Sequence, residues 1–239
     1  MATNRSRGAW LLCVVFGVAV AAVFAWFAAV IPTQTCTGRQ PRGTSAFLAY
    51  QLARTTADIE AVFGPEGDPC RAAMVAALNL ANTMDLVAFI AIYTGFAASF
   101  FLALKRSGNE GIARIGLVAV VFTLLCDLLE TSMQLYITSS LPGTVTSLVF
   151  LTIGNTGKLL GLAIVGVCAG AAMLARRGLV GRLTGAACFV SALMVVAGLN
   201  YSPAQPGISV GTTLLWLGMW LYAAVATVRG APAAGQASS

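Results

Sequence analysis

Six long apolar stretches constrain this chain more than any other feature of its sequence. A bilayer core of ~30 Å is crossed by a helix of about 20 residues, at ~1.5 Å per residue. The stretches run over about 10–31, 85–104, 115–136, 148–174, 183–199 and 208–228, the fifth being short. Only 9% of the residues are charged and 58% are hydrophobic, whereas a soluble domain carries roughly a quarter charged residues. Lipid is therefore the expected solvent. The expected fold is all-α, a polytopic six-helix transmembrane bundle forming a single domain over 1–230. The remainder, 231–239, is Ala, Gly, Ser and Pro without pattern and is expected to be a disordered tail. Leu141-Pro142-Gly143 stops the third helix, and Ser202-Pro203 with Pro206-Gly207 stops the fifth.

Basic residues set the expected orientation. Arg5 and Arg7 precede the first span, Lys105, Arg106 and Arg114 join spans two and three, and Arg176, Arg177 and Arg182 join spans four and five. Arg229 follows span six, and the connections 137–147 and 200–207 hold no Lys or Arg. By the positive-inside rule both termini are cytoplasmic and the loop 32–84 is extracytoplasmic, in a multi-pass protein of the cell membrane. The net charge of +6 then reports topology and contact with anionic lipid headgroups. Nucleic acid is not an expected partner, because the basic residues are scattered over short turns. Span one has the positive flank of a signal peptide, but 22 apolar residues exceed the usual length of such a core. A retained anchor is expected, with cleavage near Ala25 to Ala29 as the alternative.

The loop 32–84 is the only sizeable segment outside the spans. Leu48, Leu52, Ile59, Val62 and Phe63 recur at helical spacing, so one amphipathic helix is expected from Ser45 to Phe63, capped by Thr44 or Ser45 and stopped by Gly64-Pro65. Asp68-Pro69 reads as the start of a second helix, with Pro at its first position. That helix is expected to continue into span two, ~52 Å over 70–104. Cys36 and Cys70 are the only cysteines outside the spans and bracket the amphipathic helix. On the oxidising side of the membrane they are expected to form a disulfide, the alternative being two free thiols. Cys13, Cys126, Cys168 and Cys188 lie in spans and read as small apolar packing residues.

Asp127 and Glu130 fall in the middle of span three, and Asn155 and Lys158 in the middle of span four. Ionisable groups there cost about 2.5–3.5 kcal/mol each to insert, so they normally face the bundle interior and pair. If spans three and four form an antiparallel hairpin, residues at equal depth have a constant index sum. Asp127 with Lys158 and Glu130 with Asn155 both sum to 285, which centres the hairpin on Pro142-Gly143. The expected state pairs Asp127 with Lys158 and leaves Glu130 protonated or sharing a proton. Thr123, Asp127, Glu130, Thr131, Gln134 and Thr138 form a polar stripe along span three. Gly154, Gly157, Gly161 and Cys168 offer small residues beside the lysine, and Gly166 and Gly170 repeat the spacing further on. Asn79, Asn82 and Asp85 form a polar series at the outer end of span two, with Tyr93 deeper. They are candidates to line a vestibule, although Asp85 alone also reads as a solvated interfacial residue. Trp216 and Trp220 read as packing or lipid-facing side chains, with a pocket wall as the alternative.

The chain has no histidine, which excludes His-ligated haem and zinc, di-iron hydroxylase centres and Ser-His or Cys-His nucleophile pairs. Phosphotransferase-type D-G-x-x-A-R, repeated D-x-x-x-D, G-x-S-x-G, P-loop and dinucleotide patterns are also absent. No cofactor or metal is expected. Four readings of the cluster remain. It is the site of a small permease-like protein, with Asp127, Glu130, Asn155, Lys158, Gln134, Thr123, Asn82 and Asp85 facing a polar or proton-coupled solute. It belongs to an intramembrane enzyme on a lipidic or isoprenoid substrate, with Glu130 as general acid, Asp127 as its charge partner and Lys158 holding anionic charge. The chain is a non-catalytic accessory or sensor subunit whose braced loop meets a partner. Or the network only fixes hairpin register. The expected partners are membrane lipid and either a second copy or another membrane subunit.

Overall fold

The computed structural model describes residues 2–39, 45–176 and 178–229, with side chains from Arg7 onward. Thr44, Arg42, Arg177 and the tail 231–239 lie outside these residues, as does the side chain of Arg5. The described chain is helical, with no strand. Six of its helical segments are long and apolar enough to cross a membrane: Arg7–Val30, Arg71–Arg106, Glu110–Ser139, Val145–Leu174, Leu179–Asn200 and Ser202–Arg229. Their surface is the reverse of a soluble protein's. Val118, Leu125, Val87 and Leu193 are 60–71% exposed, while Asp127, Glu130, Asn155 and Lys158 are buried. Such a surface is stable only against an apolar medium.

The helices are α1 (Ala2–Val30), α2 (Ala46–Gln51), α3 (Thr56–Phe63), α4 (Arg71–Met84), α5 (Ile90–Arg106), α6 (Glu110–Ser139), α7 (Val145–Leu174), α8 (Leu179–Asn200) and α9 (Pro206–Arg229). A π-helical stretch, Asp85–Phe89, joins α4 to α5, and a short 3-10 turn, Ser202–Ala204, precedes α9. The long helices form a closed ring in which α1 packs on α5, α5 on α6, α6 on α7, α7 on α8, α8 on α9, and α9 returns to α1. Helices joined by short connections pack as antiparallel neighbours. One end of the ring carries residues 31–39 and 45–70 and the turns near 140–144 and 201–205. The other carries the two chain ends and the turns near 107–109 and 175–178. We call these the loop end and the terminal end.

The α6–α7 hairpin turns at Pro142-Gly143, where Gly143 adopts φ +82° and Thr144 opens α7 with a capping box to Ser147. The two helices approach closely because α7 is lined with glycine: a Cβ on Gly154 would lie 2.7 Å from the backbone nitrogen of Glu130. Gly157 and Gly161 similarly receive Cys126 and Thr123. Gly166 and Gly170 serve the other neighbour, facing the backbone oxygens of Cys188 and Gly185 on α8. Packing of this kind replaces the hydrophobic drive that is missing between helices in lipid.

Two expectations for the loop need correction. The expected Ser45–Phe63 helix is two helices, α2 and α3, broken between Leu52 and Thr55. The Asp58 carboxylate is the cause. It accepts from the backbone nitrogens of Arg54 and Thr55 at 2.9 and 3.0 Å, while Thr55 caps Asp58 in return. Those donors are thereby satisfied outside a continuous helix. Leu48, Leu52, Ile59, Val62 and Phe63 are all buried nevertheless. Ser45 caps α2 through its hydroxyl, which accepts from the Leu48 backbone. Pro69 is not the first helical residue: α4 begins at Arg71, after Asp68 Oδ1 accepts from the Cys70 nitrogen at 2.8 Å. The helix does run on to Arg106, but through the π stretch rather than as unbroken α-helix.

Cys36 and Cys70 are disulfide-bonded, and Cys13, Cys126, Cys168 and Cys188 are free. The bond ties the segment after α1 to the start of α4. Between these anchors, Tyr50, Ile59, Val62 and Phe63 pack on Met74 and Leu78 of α4 and on Ile137, Leu148 and Leu151 at the α6–α7 turn. The Tyr50 hydroxyl donates to the backbone oxygen of Gln134 at 2.5 Å, and burial pushes its phenol pKa up. The loop is therefore a packed cap on one side of the ring.

Candidate functional site

The polar stripe of α6 lies entirely inside the bundle: Thr123, Asp127, Glu130, Thr131, Gln134 and Thr138 are each at most 8% exposed. It meets a different helix at nearly every turn. Lys158 Nζ of α7 lies 3.1 Å from Asp127 Oδ1 and 2.5 Å from Glu130 Oε2. Asn155 Nδ2 donates to Glu130 Oε1 at 3.3 Å. Both pairs with index sum 285 are thus formed, and Lys158 also bridges the two acids rather than serving Asp127 alone. From α5, the Tyr93 hydroxyl donates to Asp127 Oδ2 at 2.6 Å. Thr131 donates to Asp85 Oδ2 at 2.7 Å, and Thr138 to Asn79 Oδ1 at 2.7 Å.

Asp85 is not a solvated interfacial residue. It is 6% exposed and belongs to the cluster, because it opens the π-helical stretch. That stretch joins α4, whose Asn79 and Asp85 sides face α6, to α5, whose Tyr93 faces Asp127. π-helical insertions occur frequently at functional sites. Three carboxyl groups, Asp85, Asp127 and Glu130, therefore share one ammonium group, Lys158. Both oxygens of Asp127 and both of Glu130 are engaged. Asp85 Oδ1 has no hydrogen-bond partner among the described residues.

A cavity of about 490 Å³ reaches this cluster from the loop end. Its floor is Asp85, Tyr93, Asp127 and Lys158. Its walls mix aliphatic side chains, among them Ile31, Leu159, Leu162 and Ile208, with a set of rings: Phe24 and Phe27 from α1, Phe89 from the π stretch, and Trp216 from α9. Phe47, Leu48 and Gln51 of α2 lie at its mouth, with Thr33 and Ser45, and Ser209, Thr212 and Thr213 of α9 add hydroxyls. The rings form a chain of contacts from mouth to floor. Centroids are 5.2 Å apart for Phe24–Phe89, 5.3 Å for Phe27–Phe89, 5.3 Å for Phe89–Tyr93 and 5.7 Å for Tyr93–Trp216. A volume of this order suits a small molecule.

The candidate residues therefore separate into two sets. Asp85, Asp127 and Lys158 face the cavity. Glu130 and Asn155 lie behind Lys158, and Thr123, Gln134 and Asn82 are buried away from it. Asn82 is fully buried with neither side-chain atom hydrogen-bonded, and Asn79 is held by Thr138. Trp216 is a cavity wall, whereas Trp220 donates to the Val14 backbone oxygen at 3.2 Å and packs over Gly17 of α1. Sequence reasoning left Phe24, Phe27, Phe47 and Phe89 unremarked. Their only sequence signal is aromatic spacing of three or four residues, as in Phe24–Phe27 and Phe89–Tyr93, which lipid-facing helices share.

The arrangement can bind a small molecule at a charged floor and hold or pass a proton among its carboxyl groups. No known protein family, no curated protein and no solved structure matches the chain.

Proposed function

We propose that this protein binds a small solute in the aromatic cavity and moves it, coupled to protons, across the cell membrane. The carrying observation is that a cavity of about 490 Å³ ends on Asp85, Asp127 and Lys158. A network that only fixed hairpin register would gain nothing from an open approach to its charges, and intramembrane ionisable groups typically mark solute or proton pathways. In this reading loop 32–84 is extracytoplasmic and both termini are cytoplasmic. The sequence puts nine basic residues before span one, between spans two and three, between spans four and five and after span six, and none in connections 137–147 and 200–207, which supports it. Solute enters at the loop end, and Glu130, behind Lys158, acts as the proton-exchanging group.

The intramembrane-enzyme alternative asks Glu130 to give its proton to a lipidic substrate. Glu130 is fully buried and does not line the cavity, so the geometry favours a coupling role over a direct one. Proteoliposomes holding an entrapped pH dye test the proposal, with small cationic, anionic and neutral solutes added outside. Wild-type vesicles are expected to show a solute-dependent pH change that Glu130→Gln removes. No response to any solute class, or an undiminished response in Glu130→Gln, would overturn it.

A further inference from the structure

We infer that the cavity is built for an organic cation: a protonated amine or quaternary ammonium head on an apolar body, with Asp85 as the anchoring carboxylate. This rests on the reading of the cavity as a solute site and names the class of solute.

The charge balance at the floor carries the first part of the argument. Asp85, Asp127 and Glu130 are buried around Lys158, which is the only cationic side chain lining the cavity among the described residues. Lys158 is already committed to Asp127 at 3.1 Å and to Glu130 at 2.5 Å. An anionic ligand would have to share that ammonium while facing the carboxyl groups of Asp85 and Asp127. Asp85 has the opposite need. It is 94% buried, lines the cavity, and has only Thr131 on one of its two oxygens. A buried carboxyl group without a cation keeps its proton, and a ligand that brings a positive charge lets it ionise against that charge.

The walls carry the second part. Phe24, Phe27, Phe89, Tyr93 and Trp216 form a continuous aromatic strip leading to Asp85 and Asp127. Ring faces attract cations, by about 0.5–1 kcal/mol at exposed sites and about 2 or more when desolvated, and aromatic cages are a common way to hold quaternary ammonium groups. A bare metal ion would instead need several oxygen ligands, as hard cations do. This floor leaves one carboxylate oxygen open. An organic cation uses both the open carboxylate and the rings.

The test is substituted-cysteine labelling on the full-length protein in membrane vesicles. Thr212→Cys places a thiol on the cavity wall, and Tyr201→Cys places one at an exposed site on the same end of the ring. Each is treated with a cationic trimethylammonium-ethyl methanethiosulfonate and with its anionic sulfonatoethyl counterpart, with the unsubstituted protein as background. At Thr212→Cys the cationic reagent is expected to react at least tenfold faster, relative to the anionic one, than at Tyr201→Cys. Benzyltrimethylammonium is expected to slow that reaction, and 3-phenylpropionate is not. Adding Asp85→Asn, which keeps an oxygen for Thr131, is expected to bring the ratio back toward that at Tyr201→Cys. Equal ratios at the two sites, or protection by phenylpropionate instead, would overturn the cation assignment while leaving a solute cavity in place. No reaction at Thr212→Cys with either reagent would remove the cavity reading along with it.

Discussion

The same three helices, α1, α5 and α9, behave differently at their two ends. At the terminal end they close on aromatic interlocking. Trp10 of α1 meets Phe100 of α5 at 5.4 Å and Tyr222 of α9 at 5.5 Å, edge to face, and Phe100 meets Phe101 at 5.7 Å. All four side chains are at most 4% exposed. Arg176, 1% exposed, adds a guanidinium that donates to the Ser107 backbone oxygen at 3.4 Å. At the loop end the same helices supply Phe24, Tyr93 and Trp216, joined by Phe89 of the π stretch, and these rings border open space. Gly17 and Gly95 sit near mid-length, under Trp220 and Phe16 respectively, and allow α1 to press on α9 and α5. Beyond that point the helices still touch through Phe24–Phe89, Phe27–Phe89 and Tyr93–Trp216, and Phe47 of the capping segment stacks on Phe27. Aromatic content alone therefore says little about whether a helix end is sealed. Rings meet edge to face at both ends, and what differs is that the loop-end set leaves space between the helices that ends on a charged floor.

Breaking the floor is expected to cost most. Lys158→Met leaves Asp127 and Glu130 buried without their cation, and about 3–5 kcal/mol of stability should be lost, read from thermal unfolding in detergent. Adding Asp127→Asn and Glu130→Gln to Lys158→Met should restore most of that loss. A triple variant as unstable as the single one would show that charge burial is not the cause. Next comes the sealed end: Trp10→Ala should cost about 3 kcal/mol, the low end for a large core truncation, because lipid-solvated helices lack much of the hydrophobic transfer term. If Trp10→Ala proves harmless, the terminal end is not closed by these rings. Tyr93→Phe removes a hydrogen bond to a charged acceptor and should cost about 1.5–2 kcal/mol, with the helices otherwise unmoved. For Trp216→Ala a loss of about 1–2 kcal/mol is expected, less than for Trp10→Ala, because part of this ring borders the cavity while Tyr93 and Phe96 pack against the rest. The same change should weaken protection of Thr212→Cys by benzyltrimethylammonium, which separates a ligand wall from a packing residue.

Much of the frame was legible in the sequence because the relevant signals are long or doubly constrained. Twenty-residue apolar runs have few alternatives, and the spans extend beyond their expected limits by no more than about six residues apart from the continuous α4–α5 helix. The α6–α7 register was legible because Asp127, Glu130, Asn155 and Lys158 had to be satisfied at one depth, and two pairs agree on one turn. The pairing of Cys36 with Cys70 followed from their being the only two cysteines outside the spans. The break at 52–55 was hidden because it depends on a side chain, Asp58, reaching back to two backbone donors, which hydrophobic spacing does not register. Asp85 was half legible: the polar series Asn79, Asn82 and Asp85 pointed to a vestibule, but an α-helical projection does not register the π stretch that begins there. The cavity walls were hidden because a phenylalanine facing lipid and one facing an apolar cavity obey the same local rule.

The π stretch at Asp85–Phe89 has a genetic counterpart: it is what a single inserted codon leaves in a helix whose two ends are already anchored. Deleting Val87, whose side chain points outward at 70% exposure, would let the helix relax to ordinary pitch. The part before the deletion would then turn by about 100° relative to the part after it. Asn79 and Asp85 cannot keep Thr138 and Thr131 while Tyr93 keeps Asp127 under that rotation. One residue thus separates a helix that serves two neighbours from a helix that can serve only one. Length variation at this position, more than substitution, is where such a chain would gain or lose its site.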